Sequence, residues 1–361
     1  MVTLAVPVFW YMWMYTWPSR SYRAVRKRVL RASKQAGFDP VLIEFNELIR
    51  LGKHFPWRKK HPTHYVLVTS TPSEEMVAGL DLDDKGNLYV SMGTNVFRVE
   101  RSGQIRPLIA DAFLPYTGDW RSKMEDPRRI CTVDHFAVTQ DGSVLWIVSY
   151  KSSLYTVKNG EPRFMAGSRM EFDTTQPGQG TEARMAYILN IVTATNEKAV
   201  VACDGALCEC DTKGNVTIIA KDDRYQHRDV SANDRELRGS IVAPHPDRGY
   251  WIVERGWGGC LSLLCDGKMS TIISGSHMTE KTPEEAWLLP GRGFNGPLLV
   301  ILGPDRILYV AENESIVTVS PLGKMNVLMG SRERWRDRGW PINGLAVDRD
   351  GNLFTAHQDV Y

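Results

Sequence analysis

An all-β, six-bladed β-propeller is the fold that this sequence predicts, and three observations predict it. One phrase of roughly 50 residues recurs from Gly79 to the end of the chain. Each complete copy reads as four short runs of alternating, β-branched or aromatic residues separated by turn chemistry, the pattern of a four-stranded antiparallel sheet. The sixth copy stops half finished, and a lone strand-like stretch stands directly ahead of the first copy, placed to complete it.

Taken in chain order, the first element is not part of the repeat. The 361 residues are 43% hydrophobic and 24% charged, which excludes a disordered chain. The net charge of +2 conceals an asymmetry: residues 1–62 carry 12 Lys+Arg against 3 Asp+Glu, and the remainder 32 against 39. The two parts therefore suit different neighbours. Residues 1–62 are read as a basic, aromatic extension and 63–361 as the propeller. The extension opens with VTLAVPVFWYMWMYTW and continues with the acid-free PSRSYRAVRKRVLRASKQAGF. An apolar run of about 16 residues falls short of the roughly 20 that a spanning helix needs, and Pro7 interrupts it. Positive charge that follows the apolar run is the reverse of a secretory signal.

Three readings stay open for this stretch. It anchors at a membrane interface, with Trp10, Trp13 and Trp17 at headgroup depth and Arg20, Arg23, Arg26, Lys27, Arg28 and Arg31 on the charged side. Or it is a mitochondrial-type targeting region, whose Arg- and Ser-rich, acid-poor signature it shares. Or residues 1–35 form a docking arm on acidic protein or RNA. Further on, PVLIEFNELIRLG sets Val41, Phe45, Leu48 and Ile49 at helical spacing with Gly52 at the stop, which predicts a helix. KHFPWRKKHP reads as a basic linker.

The repeats begin with GLDLDDKGNLYVSMGTNVFRVERSGQIRPLIA at Gly79 and FAVTQDGSVLWIVSYKSSLYTVKNGEPRFMAG at Phe136. Further copies start at Ile188, Ser240 and Leu298, and the unfinished one, INGLAVDRDGNLFTA, at Ile342. First turns are of the Asp/Gly kind (DDKGN, TQDGS, DRDGN), and last turns are again centred on Gly (RSGQ, KNGE, TKGN, CDGK, PLGK). A ring with half a blade would leave an unpaired edge. HYVLVTS, His64 to Ser70, alternates apolar and polar and stands alone, so it is expected to pair into the blade begun by Ile342.

GLAVDRDGNLFTA, its partner GLDLDDKGNLYVS and the closing MNVLMG resemble the NHL-repeat family of six-bladed propellers, over about residues 76–361. The resemblance implies that the loop into each inner strand and the turn after the second strand share one face. The long segments 111–134, 168–187, 221–239, 276–297 and 331–341 are all loops of the first kind, so one face is elaborated. Its charges are mixed, as in KDDRYQHRDVSANDREL and SRERWRDRGW, which suits salt-bridged loop packing or protein recognition. A local RNA contact would fall to Arg128, Arg129, Arg332, Arg334 and Trp335, although a nucleic-acid face should be mainly positive.

Six-bladed propellers also include calcium-dependent lactonases, which gives an alternative, a calcium-dependent hydrolase with carboxylates converging on the axis, where Asp204, Glu254 and Glu312 at second-strand ends are the candidate ligands. The sequence offers no equivalent of that family's opening glutamate motif. The histidines fall in unrelated contexts, CDGALCEC lacks the paired spacing of structural zinc, and no GxSxG, HExxH or P-loop signature occurs. The resulting expectation is a non-catalytic propeller scaffold without a cofactor, a protein-interaction subunit of a larger, mitochondrial assembly. Its partner contacts are expected at Trp10, Trp13, Trp17, Arg20, Arg23, Arg26, Lys27, Arg28, Arg31, Arg332, Arg334 and Trp335. An RNA-contacting subunit of a ribonucleoprotein, or a membrane-anchored chain in another compartment, is the remaining alternative.

Overall fold

The structure is a computed structural model that describes residues 27–58, 63–68, 77–109, 130, 132–150, 152–167, 174–221, 240–245, 247, 249–254, 257–273, 294–295, 297–304, 306–312, 315–321, 323–330 and 342–357. The four runs of each repeat are four antiparallel strands. In the sheet that starts at Val77, strands Val77–Leu82, Leu88–Met92, Asn95–Val99 and Ile105–Ile109 pair in that order. The first strand of each sheet packs on that of the next in a closed cycle: 77–82, 135–138, 188–195, 240–244, 297–302, 342–347 and back to 77–82.

Five sheets have the expected four strands, and the sheet spanning 188–221 has a fifth. That fifth strand, Gly178–Gln179, pairs with Asn215 and Val216 on the outer edge, so part of the segment 168–187, expected as a loop, covers an edge that would otherwise expose its hydrogen-bonding groups. A two-stranded ribbon, Trp257–Gly259 with Phe294–Asn295, shares no ladder with these sheets, and Phe294 packs into the core beside Ile241 and Val300.

The Asp/Gly turns have one physical cause. Asp83 Oδ1 accepts the N–H groups of Lys85 and Asn87 at 3.0 and 2.8 Å, and its Oδ2 accepts Asn87 Nδ2 at 2.8 Å. Asp348 repeats this with Asp350 and Asn352, and Asp211 with Lys213 and Asn215. The intervening glycine takes a left-handed backbone, φ 73° at Gly86 and 77° at Gly351, which explains why DxxGN recurs. The Gly-Leu pair ahead of the turn is explained by packing: a Cβ on Gly344 would stand 2.7 Å from Leu80 Cγ of the next sheet.

The ring closes through the N-terminal part of the chain. Ile342–Val347 and Leu353–His357 form a hairpin, and Thr63–Val68 adds to it as predicted, in register His64↔Leu353 to Leu67↔Ala356. This strand runs parallel to Leu353–His357, whereas the second and third strands of the other repeat sheets are antiparallel. A strand delivered from a distant part of the chain is free of the hairpin constraint.

Beyond it, Asp39–Glu44 forms a second parallel strand, paired from Asp39↔Thr63 to Glu44↔Val68. The helix expected over this stretch is confined to Phe45–Arg50. The alternation in Val41–Leu42–Ile43, with Val41 and Ile43 buried, fits an edge strand, and the waiting edge overrides local helical spacing. The boundary drawn at residue 62 thus lies inside one packed body. Phe55, Trp57, Tyr65 and Phe354 form an aromatic cluster there, with Tyr65 and Phe354 stacked at 4.8 Å between centroids and 9° between planes. Arg101 caps it, 4.8 Å over the Trp57 ring and 3.1 Å from Asp348 Oδ2, tying the first repeat sheet to the last.

Candidate functional site

Two places gather chemistry: the helix docked at the closing sheet, and the axial channel. Residues 27–35 are helical and divide cleanly by face. Ala32, with Ala36 and Phe38 just beyond the helix, packs on a core that contains Ile316, Met329, Ile342, Leu345 and Leu353. Lys27, Arg28, Arg31 and Lys34 lie on the exposed side. Position and orientation of this helix are fixed by a buried polar chain. Ser33 Oγ donates to Val29 O at 2.8 Å and meets His64 Nδ1 at 2.6 Å. His64 Nε2 meets Thr355 Oγ1 at 2.7 Å, which also meets His357 Nε2 at 3.1 Å. One proton arrangement satisfies the chain: His64 Nδ1–H donates to Ser33, Thr355 donates to His64 Nε2, and His357 Nε2–H donates to Thr355. Burial, with the nearby His357 second, lowers His64 to about 3, so the ring stays neutral in this network at physiological pH.

The channel is a cavity of about 190 Å³ between the inner strands of the ring. Most of its wall is apolar, with Leu80, Phe136, Ile191 and Leu299 among the side chains, and Asp81, Asn190 and Thr193 are set into it. These polar groups tie neighbouring inner strands, which share no backbone ladder. Asp81 Oδ2 accepts Val138 N–H at 2.7 Å, Asn190 Oδ1 accepts Val242 N–H at 3.0 Å, and Thr193 Oγ1 donates to Val138 O at 3.1 Å. Burial raises Asp81 to about 7 against the two N–H bonds that lower it, and nearby Asp83 pushes it further up.

Among solved structures, a protein of unknown function from Bacteroides thetaiotaomicron is similar with a TM-score of 0.51 at 11% identity, over 80% of this chain and 68% of that one. The β-propeller fold itself rests on the closed cycle of four-stranded sheets. Streptogramin B lyase gives 0.46 at 12% identity, over 80% and 92% of the two chains. A gluconolactonase from Xanthomonas campestris gives 0.48 at 9%, over 78% and 83%. No protein-family model matches the sequence, and no curated protein matches it. Similarity at this level extends to the fold alone.

The expected metal ligands do not converge. Asp204 sits in the turn after Lys198–Cys203, its N–H donating to Tyr187 O at 2.9 Å. Glu254 ends Tyr250–Glu254, and its N–H donates to Cys260 O at 3.1 Å. Glu312 is 1% exposed, and Ser315 Oγ is 3.4 Å from its Oε2. Among the described residues no group of three or more His, Cys, Asp or Glu side chains is arranged to hold a metal ion. Arg306 pairs with Asp247.

Of the expected partner contacts, Lys27, Arg28 and Arg31 share the exposed face of the docked helix, which also carries Lys34. Trp10, Trp13, Trp17, Arg20, Arg23, Arg26, Arg332, Arg334 and Trp335 lie outside the described residues, as do Arg128 and Arg129. No helix among the described residues is long and apolar enough to cross a membrane. Asp81 is the residue that sequence reasoning passed over, although a signal existed: GLDLDDKGN carries Asp81 where GLAVDRDGN carries Ala346.

Proposed function

We propose that this chain is a non-catalytic, six-bladed propeller scaffold of the NHL type, counting the five-stranded sheet as a blade. It docks into a larger assembly through its basic N-terminal segment. The observation that carries the reading is the helix at 27–35: it is pinned through Ser33 and His64 to the closing sheet while Lys27, Arg31 and Lys34 face outward. A pre-ordered row of cations meets an anionic partner surface without the entropic cost of ordering a loose tail. The partner is another protein subunit with an acidic face, and the Arg-rich, acid-poor segment supports a mitochondrial setting.

The test is fractionation of cells that express the chain with Lys27→Glu, Arg31→Glu and Lys34→Glu together. The variant is expected to leave the large-particle fraction while keeping the wild-type melting temperature, because all three side chains are exposed. Retention in the particle at physiological salt would refute the reading. Deletion of residues 1–35 separates the alternatives: simple release from membranes points to an anchor, and sensitivity of the particle to ribonuclease points to RNA.

A further inference from the structure

The channel contains a half-buried acid that no described side chain neutralises. The Asp81 carboxylate accepts two main-chain N–H groups, Leu82 at 2.8 Å on Oδ1 and Val138 at 2.7 Å on Oδ2. None of the ion pairs among the described residues involves it. Each oxygen keeps a lone pair for a further donor. An ionised carboxylate withdrawn from water is costly unless it takes up a proton or a counter-charge. Its rise to about 7 expresses that cost and leaves Asp81 half ionised at neutral pH.

The surroundings define which counter-charge fits. A hard divalent ion needs about six oxygen ligands, and the wall around Asp81 is largely aliphatic and aromatic. An apolar wall with one charged group suits a ligand of the same make-up, an apolar body with one cationic donor. An apolar cavity of about 150 Å³ takes up benzene, so about 190 Å³ accommodates a six-membered ring with an aminomethyl group.

We propose that the channel binds a small organic ammonium ion, a primary amine on a body of about six to eight carbons, whose charged head sits on Asp81 and whose body lies against Leu80, Phe136 and Ile191. The ammonium N–H groups use the lone pairs that Leu82 and Val138 leave vacant, and the bound cation holds the carboxylate ionised.

Calorimetric titration of the full chain with benzylamine at pH 8 tests this. Benzyl alcohol serves as the neutral analogue of similar size, and potassium chloride as a cation without a body. Saturable binding of benzylamine is expected, weaker by about tenfold or more for either control. In the wild-type chain the affinity should fall about tenfold from pH 8 to pH 6 as Asp81 takes up its proton. His135 is the other titratable group on the wall and Asp83 the acid nearest behind Asp81, so any pH dependence that survives in Asp81→Asn is theirs. Asp81→Asn should itself weaken benzylamine about tenfold or more, and the wild-type pH series decides the matter if that variant does not fold. Absence of saturable binding at pH 8, equal binding of either control, or an affinity constant between pH 6 and pH 8 would overturn the proposal.

Discussion

His64 makes the stability of the closing sheet depend on pH in a direction that can be calculated. Its ring is fully buried and neutral between Ser33 and Thr355, and burial lowers it from 6.5 to about 3. Because the folded value is depressed, the unfolded chain binds the extra proton between pH 6.5 and pH 3. Stability from this group is therefore complete above about pH 6.5 and is lost as pH falls toward 3. At about 1.4 kcal/mol per unit, the loss comes to about 2 kcal/mol at pH 5 and about 3 kcal/mol at pH 4.

His64→Gln keeps hydrogen-bonding groups in the network and does not titrate. The stability of the wild type minus that of the variant, from urea unfolding at pH 7.5, 5 and 4, should shrink by those amounts. A difference that stays constant over this range would refute the buried, neutral assignment of His64.

Asp81 acts with the opposite sign: raised from 3.8 to about 7, it favours the folded chain at low pH, and that contribution is lost as pH rises through this window. In urea unfolding, Asp81→Asn should abolish that decline, and an unchanged pH profile would argue against a desolvated acid in the channel. Gly344→Ala places a methyl 2.7 Å from Leu80 Cγ and 3.0 Å from Ala356 Cβ, so thermal unfolding should show a loss of about 1–3 kcal/mol. Phe354→Ala removes the stacked partner of Tyr65 from a fully buried site and should cost about 3–5 kcal/mol, read by the same assay.

Most of the fold is legible in the sequence because it is written in local chemistry. DxxGN specifies a turn through one carboxylate and one positive-φ glycine, and strand alternation recurs on either side of it. Even the closure is legible, since an isolated alternating stretch and half a repeat each need a partner. The strand Asp39–Glu44 is not, because the residues that alternate in PVLIE also begin a helical spacing, and only the edge offered by Thr63–Val68 decides between them.

The site is harder to read for a related reason. Asp204, Glu254 and Glu312 have the right chemistry for a metal, but whether they meet depends on where each strand end points, which no local pattern encodes. Asp81 was visible only as a departure from its repeat partner Ala346, and its significance comes from burial and from the Val138 N–H of a neighbouring sheet. The basic face of residues 27–35 lacks any motif. Its meaning rests on Ser33, whose bond to His64 spans 31 positions of sequence.

Closure of the ring by its own N-terminal strands is tested most directly by replacing Val66 and Val68, 1% and 6% exposed in the strand beside Leu353–His357, with Asp together. Two unpaired charges buried at the seam are worth several kcal/mol. Urea unfolding of this variant, followed by circular dichroism and by tryptophan fluorescence, should show the native transition lost or shifted to much lower denaturant in both signals together. A wild-type midpoint, or loss of structure confined to one signal, would contradict closure of the ring as a single cooperative unit.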